Sequence, residues 1–76
     1  MNNLQMAKII KDTCKNQGIT IATLLSECNI RKSLIYDLEK RNYTPSVAVV
    51  EQIAEYLNCS VDYLLGRTEK INSHKL

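Results

Sequence analysis

The chain has no tryptophan and no phenylalanine, and its aromatic side chains are four tyrosines. Its 76 residues must therefore be held by an aliphatic core, drawn from eight isoleucines, nine leucines, four valines and four alanines. Glycine occurs twice and proline once, fewer turn residues than small β-rich proteins use. The apolar residues also recur at helical rather than alternating spacing. The fold class expected is all-α. The longest apolar run is four residues, Val47 to Val50, far short of the roughly 18 that cross a bilayer. Met1-Asn2-Asn3-Leu4-Gln5 has neither the basic start nor the apolar block of a secretion signal. No membrane association is expected, and cytoplasmic residence is.

Metal and catalytic constellations are equally scarce. Cys14, Cys28 and Cys59 stand far apart with no Cys-x-x-Cys pair and no neighbouring histidine, whereas zinc sites pair their ligands a few residues apart. Each cysteine reads as a small buried hydrophobe. No metal and no cofactor is expected. The single histidine, His74, lies in a polar stretch near the C-terminal end, away from the serines at 26, 33, 46 and 60. No Gly-rich phosphate loop and no carboxylate pair is present. The chain does not read as an enzyme.

Charge is sparse in total and uneven in distribution. The formal net charge is +2, too small to argue nucleic-acid binding by itself. Residues 1–43 carry seven basic and four acidic groups, while residues 44–66 carry only Glu51, Glu55 and Asp62. Basic residues gather around the second and third of five expected helices. A solvated face and a nucleic-acid face explain that gathering equally well on charge alone.

Punctuation places the helices at residues 4–17, 21–28, 31–41, 46–57 and 61–65. Asn2 or Asn3 opens the first and Gly18 closes it; Thr20 caps the second and Ser60 the fifth. Met6, Ala7, Ile10 and Cys14 form one apolar stripe, and Val50, Ile53, Ala54 and Leu57 another at i, i+3, i+4, i+7. On the third helix Ile35 and Leu38 are expected to be buried, with Leu34 at the margin. Lys32, Ser33, Tyr36, Asp37 and Lys40 are expected on its polar side. Residues 1–68 form the one folded domain in this reading and 69–76 a polar tail. A domain this small buries only about 60% of its unfolded surface, so its fold is expected to be marginal or helped by a partner subunit.

The stretch from Ile21 to Leu38 carries most of the functional information. Two short helices joined by a tight turn, the second presenting basic and hydroxyl groups outward, follow the helix-turn-helix plan. A major groove about 12 Å wide admits one helix, provided that helix exposes polar rather than apolar side chains. The sequence becomes specific in Ile30-Arg31-Lys32-Ser33-Leu34-Ile35-Tyr36-Asp37-Leu38-Glu39-Lys40, then Thr44-Pro45-Ser46, then Ile53-Ala54-Glu55-Tyr56-Leu57-Asn58. It closes on Val61-Asp62-Tyr63-Leu64-Leu65-Gly66-Arg67-Thr68. This pattern resembles the lambda-repressor-like helix-turn-helix family, the Cro or XRE type. The closing segment is similar to that of many small phage and Gram-positive regulators.

The resemblance implies a compact five-helix bundle that binds double-stranded operator DNA as a homodimer and represses transcription. It puts base-reading positions at Lys32, Ser33, Tyr36 and Asp37. Its phosphate-facing positions fall at Thr20, Thr23, Lys40, Asn42 and Tyr43. Arg31 and the backbone amides of Thr20, Ile21 and Ala22 are expected to grip phosphates as well, and Val61 and Tyr63 are expected to be exposed apolar dimer contacts. Asp37 has two readings: it accepts from cytosine, or it pairs with Lys40 or Arg41 one turn on. Lys32 and Lys40 have the alternative of plain solvated lysines. Three positions depart from the family pattern. Ile21 stands where glutamine is frequent and Leu25 where a small alanine is usual, and the glycine after the family's Glu-Asn is replaced around Lys40-Arg41-Asn42, with Asn42 the expected left-handed residue. Asn29 takes the place of the turn glycine. A protein-interaction module on the same fold, antitoxin-like or regulator-binding, is the competing reading.

Overall fold

Short polar side chains open four of the five helices. In the structure, a computed structural model that describes residues 2–68, the helices are α1 (Asn3–Asn16), α2 (Ile21–Glu27), α3 (Leu34–Lys40), α4 (Val47–Leu57) and α5 (Val61–Leu64). The side chains of Asn2, Thr20, Ser46 and Ser60 accept from the N–H of Gln5, Thr23, Val49 and Tyr63 respectively. Each relieves a backbone donor that the first helical turn leaves without a partner, worth about 1 kcal/mol per cap. The all-α expectation and the five-helix architecture hold.

The helix ends follow an equally local rule. After α1 the chain enters the left-handed region at Gly18 (φ +72°), and Ile19 N–H closes back on Cys14 C=O at 2.8 Å. Asn29 and Asn58, both at φ +56°, do the same after α2 and α4, with Ile30 bonding Leu25 and Cys59 bonding Ala54. Asparagine tolerates this conformation because its short polar side chain compensates locally. The turn between α2 and α3 thus works without glycine.

The core is aliphatic, with sulfur. Met6, Ala7, Ile10 and Cys14 of α1 meet Leu24 and Leu25 of α2, Leu34 and Leu38 of α3, Ile53 and Leu57 of α4 and Leu64 of α5. α1 lies chiefly against α3 and also touches α2 and α5, while α4 packs on α5. Gln17 donates through Nε2 to Leu57 C=O at 2.7 Å, tying the end of α1 to the end of α4. Leu25 is 2% exposed, so the larger side chain at that position fits within the α2 contact. Full burial of each leucine contributes about 1.5–3 kcal/mol.

One helix differs from expectation. α3 starts at Leu34 rather than at residue 31, and its inward stripe is Leu34, Asp37 and Leu38. Leu34 is 1% exposed, and Ile35, expected to be the buried residue, is only partly covered. The helix is therefore turned by about one position from the expected face. Asp37, 4% exposed, lies on this inward stripe between Leu34 and Leu38. Residues 31–33 form a turn instead, with Leu34 N–H on Arg31 C=O at 3.3 Å. The expected tail, 69–76 with His74, lies outside the described residues.

Cys14, Cys28 and Cys59 are free thiols, all buried. Burial raises the Cys14 thiol above its ordinary value and facing Cys28 adds to it. Burial raises Cys28 as well, with Glu27 second. Both folded thiols hold their protons longer than unfolded ones. Their contribution to stability is therefore complete below the unfolded thiol range, about pH 8.5, and is lost as pH rises through the folded values. Thiol-reactive probes should label the native protein far more slowly than the protein in urea. The urea midpoint should fall between about pH 8 and pH 10, less steeply in Cys28→Ala. Native labelling at the urea rate would contradict this packing.

Candidate nucleic-acid interface

Asp37 organises the surface of α3. Its side chain is 6% exposed, and a carboxylate so far removed from water needs strong partners. Ser33 donates its hydroxyl to Asp37 Oδ2 at 3.0 Å. Arg31 Nε sits 3.3 Å from the same oxygen, and Arg41 Nε 3.9 Å from Oδ1. Ser33, at φ −87° and ψ 5° rather than in the extended conformation of the four capping residues, makes no side-chain cap on α3. The Arg31 guanidinium lies 4.5 Å from the centroid of the Tyr43 ring and that of Arg41 5.8 Å from the Tyr36 ring. One buried acid thus arranges two arginines and, through them, two tyrosines.

This corrects the placement of Asp37. It was expected on the polar face as a base-reading side chain, and it is instead buried against the helix it belongs to. Of the two readings of Asp37, ion pairing is the one seen, with Arg41 one turn on and with Arg31 as an unforeseen second partner. The i, i+4 spacing to Arg41 was legible in the sequence. The pairing with Arg31 was not, because it depends on residues 31–33 leaving the helix.

The remaining site residues fall into groups. Lys32, Ser33 and Tyr36 are exposed, Tyr36 at 54%, on the path from the turn into α3. Among the described residues, Lys32 and Lys40 form no ion pair, whereas Lys11 pairs with Glu39 and Lys8 with Asp12. Ile21 and Ala22, at the start of α2, share a mostly apolar cleft with Leu25, Ile30 and Lys32. Thr20 accepts from Thr23 N–H at 3.0 Å and donates its own hydroxyl to Thr23 Oγ1 at 2.8 Å.

Lys40 and Asn42 line a second, open recess against Asn2, Asn3 and Leu4 at the start of α1. Asn42 has φ +52° and accepts from Asn3 Nδ2 at 3.2 Å, which pins the loop after α3 to α1. Tyr43 N–H then returns to Asp37 C=O at 3.1 Å. Asn42 is thus the left-handed residue of this loop, as the sequence suggested. The buried Asn3, expected only as an alternative N-cap of α1, is a supporting residue of this loop.

The expected dimer residues are less free than supposed. Val61 and Tyr63 are half-buried, because both pack against the core. The exposed apolar side chain nearby is Val47, 71% exposed, which lines a dry cleft with Pro45, Val50, Val61 and Leu65. Among the described residues no group of histidine, cysteine and carboxylate side chains is arranged to hold a metal, and no helix is long and apolar enough to cross a membrane.

A family model described as helix-turn-helix matches residues 10–64 of the chain, which spans α2, the turn and α3 and reaches from within α1 to the end of α5. No curated protein and no solved structure matches.

The Asp37 arrangement has a measurable cost of removal. Asp37→Ala should destabilise the domain by about 1–3 kcal/mol, since hydrogen bonds to a charged group are lost. Ser33→Ala should cost about 1 kcal/mol, and the double variant less than the sum of the two. Urea denaturation measures all three. An Asp37→Ala variant as stable as the parent would show that the carboxylate holds nothing.

Proposed function

The chain belongs to the lambda-repressor-like, Cro/C1-type helix-turn-helix family, a DNA-binding regulatory family rather than an enzyme family, and on that premise we propose that it is a sequence-specific transcriptional repressor acting in the cytoplasm. It binds double-stranded DNA as a homodimer at a two-fold symmetric operator, with no metal or cofactor. The observation that carries this reading is the outer face of the turn and α3. Lys32, Tyr36 and Lys40 are exposed there, the two lysines without ion-pair partners among the described residues, while Leu34 and Leu38 fix the helix from behind.

In this reading Lys32, Ser33 and Tyr36 meet the base edges. Lysine donates to guanine acceptors, and an exposed tyrosine packs on a thymine methyl or a sugar. Thr20, Ile21, Ala22 and Thr23 at the start of α2, with Arg31, Lys40, Asn42 and Tyr43, lie along the phosphates. Ile21 offers an apolar contact and a backbone N–H where glutamine would offer a side-chain amide. The second copy covers Val47 and the cleft that contains Val61, with Tyr63 beside it. Two-fold symmetry doubles the base pairs read and brings specific affinity into the usual range of ~10⁻⁸ M or tighter.

The competing reading, a protein-interaction module on this fold, is favoured by the low net charge and by Asp37, which offsets part of the arginine charge. Salt dependence separates the two, because only a phosphate-bound protein releases counterions on binding.

Tyr36 and Lys40 should behave differently. Tyr36→Ala is expected to cost about 1–3 kcal/mol on the preferred site and little on random duplex, as loss of a base contact does. Lys40→Ala is expected to weaken both duplexes alike and lower the salt slope by about one. Fluorescence anisotropy at several salt concentrations, with preferred and scrambled duplexes, measures both effects. An unchanged specificity ratio in Tyr36→Ala would mean that α3 is not the reader.

A further inference from the structure

We infer that Asp37 is a positioning residue for a two-arginine phosphate clasp, in which Arg31 and Arg41 together hold one stretch of DNA backbone. The inference rests on the DNA-binding reading above and adds to it a contact residue, Arg41, and a role for a buried acid that reads no base. Arg31 and Arg41 come from opposite ends of α3, ten residues apart in sequence, and meet only because Asp37 lies between them. Both turn their Nε edge to its carboxylate, at 3.3 Å and 3.9 Å. Their side chains are nevertheless 56% and 72% exposed.

The chemistry of the guanidinium gives this arrangement its direction. Arginine has five N–H donors in a rigid plane, and an Nε edge turned toward Asp37 as an ion pair leaves the Nη groups facing away from it as the donors available to a ligand. A planar pair of such donors matches the non-bridging oxygens of a phosphodiester. Stacking of Arg31 on Tyr43 and the approach of Arg41 to Tyr36 limit how each side chain can turn. Free arginines lose about 1.5–2 kcal/mol of rotamer entropy when ordered on a ligand, and arginines already held lose less. Two positive charges against one negative also leave the clasp cationic, so an anion is the ligand that fits.

A simple charge argument and the clasp predict opposite signs, which makes the proposal testable. If Asp37 only trims the positive field, Asp37→Asn removes a negative charge beside the DNA and must tighten binding. If Asp37 positions the arginines, the same change frees them, and binding weakens about three- to tenfold on preferred and random duplexes alike. The full-length chain is titrated with fluorescent duplexes of both kinds by anisotropy, with thermal melts reporting the folded fraction. Arg31→Lys and Arg41→Lys keep the charge but lose the planar fork; these side chains are exposed, so the variants keep the fold should Asp37→Asn not. Each is expected to weaken both duplexes about three- to tenfold.

Tighter or unchanged binding by folded Asp37→Asn, or lysine variants that bind as the parent does, overturns the clasp. Loss of binding that tracks only the unfolded fraction overturns it as well. The two levels of the account fail differently. A parent protein that binds neither duplex removes the DNA-binding reading and the clasp with it, whereas a parent that binds while its variants match it removes the clasp alone.

Discussion

A carboxylate taken out of water must be given hydrogen bonds and counter-charges, and Asp37 imposes that demand on the residues around α3. It takes the Ser33 hydroxyl proton at the start of α3, where residues 31–33 turn instead of coiling. It draws Arg31 and Arg41 to one point, and their guanidinium groups then fix the setting of Tyr43 and Tyr36. Its own backbone C=O receives Tyr43 N–H, which turns the chain back after the helix. The direction of the outward side chains of α3 is a consequence of what faces inward.

The rest of the fold supplies a rigid support for that helix. An aliphatic core without tryptophan or phenylalanine works here because the elements are short and the caps are local. Four polar N-caps and left-handed closures at Gly18, Asn29 and Asn58 fix each helix length independently of the others. Leu34 and Leu38 of α3 and the α1 stripe then lock α3 against the bundle. Asn3, reaching from α1 to Asn42 and Thr44, holds the loop that follows Lys40.

Most of this was legible in the sequence where the governing forces are local. Helix-cap residues, the left-handed asparagines at 29 and 42, the buried cysteines and the stripes of α1 and α4 all follow from short-range chemistry and periodicity. What escaped the sequence depends on contacts between distant residues. Periodicity placed Ile35 inward because an acid is ordinarily solvated; Asp37 reverses that, since Arg31 and Arg41 converge on it. Val61 and Tyr63 looked free for a partner because the packing of α5 on α4 is a tertiary fact. Of the site, Lys32, Ser33 and Tyr36 stand exposed where the pattern put them, and Asp37 does not.

The central claim is that this surface reads a symmetric DNA site, and selection of duplexes from a random pool by the full-length protein tests it most directly. The account predicts enrichment of a two-fold symmetric sequence whose half-sites lie about one helical turn apart, roughly 34–36 Å centre to centre. Recovery of an unenriched pool after successive rounds at moderate salt would contradict it.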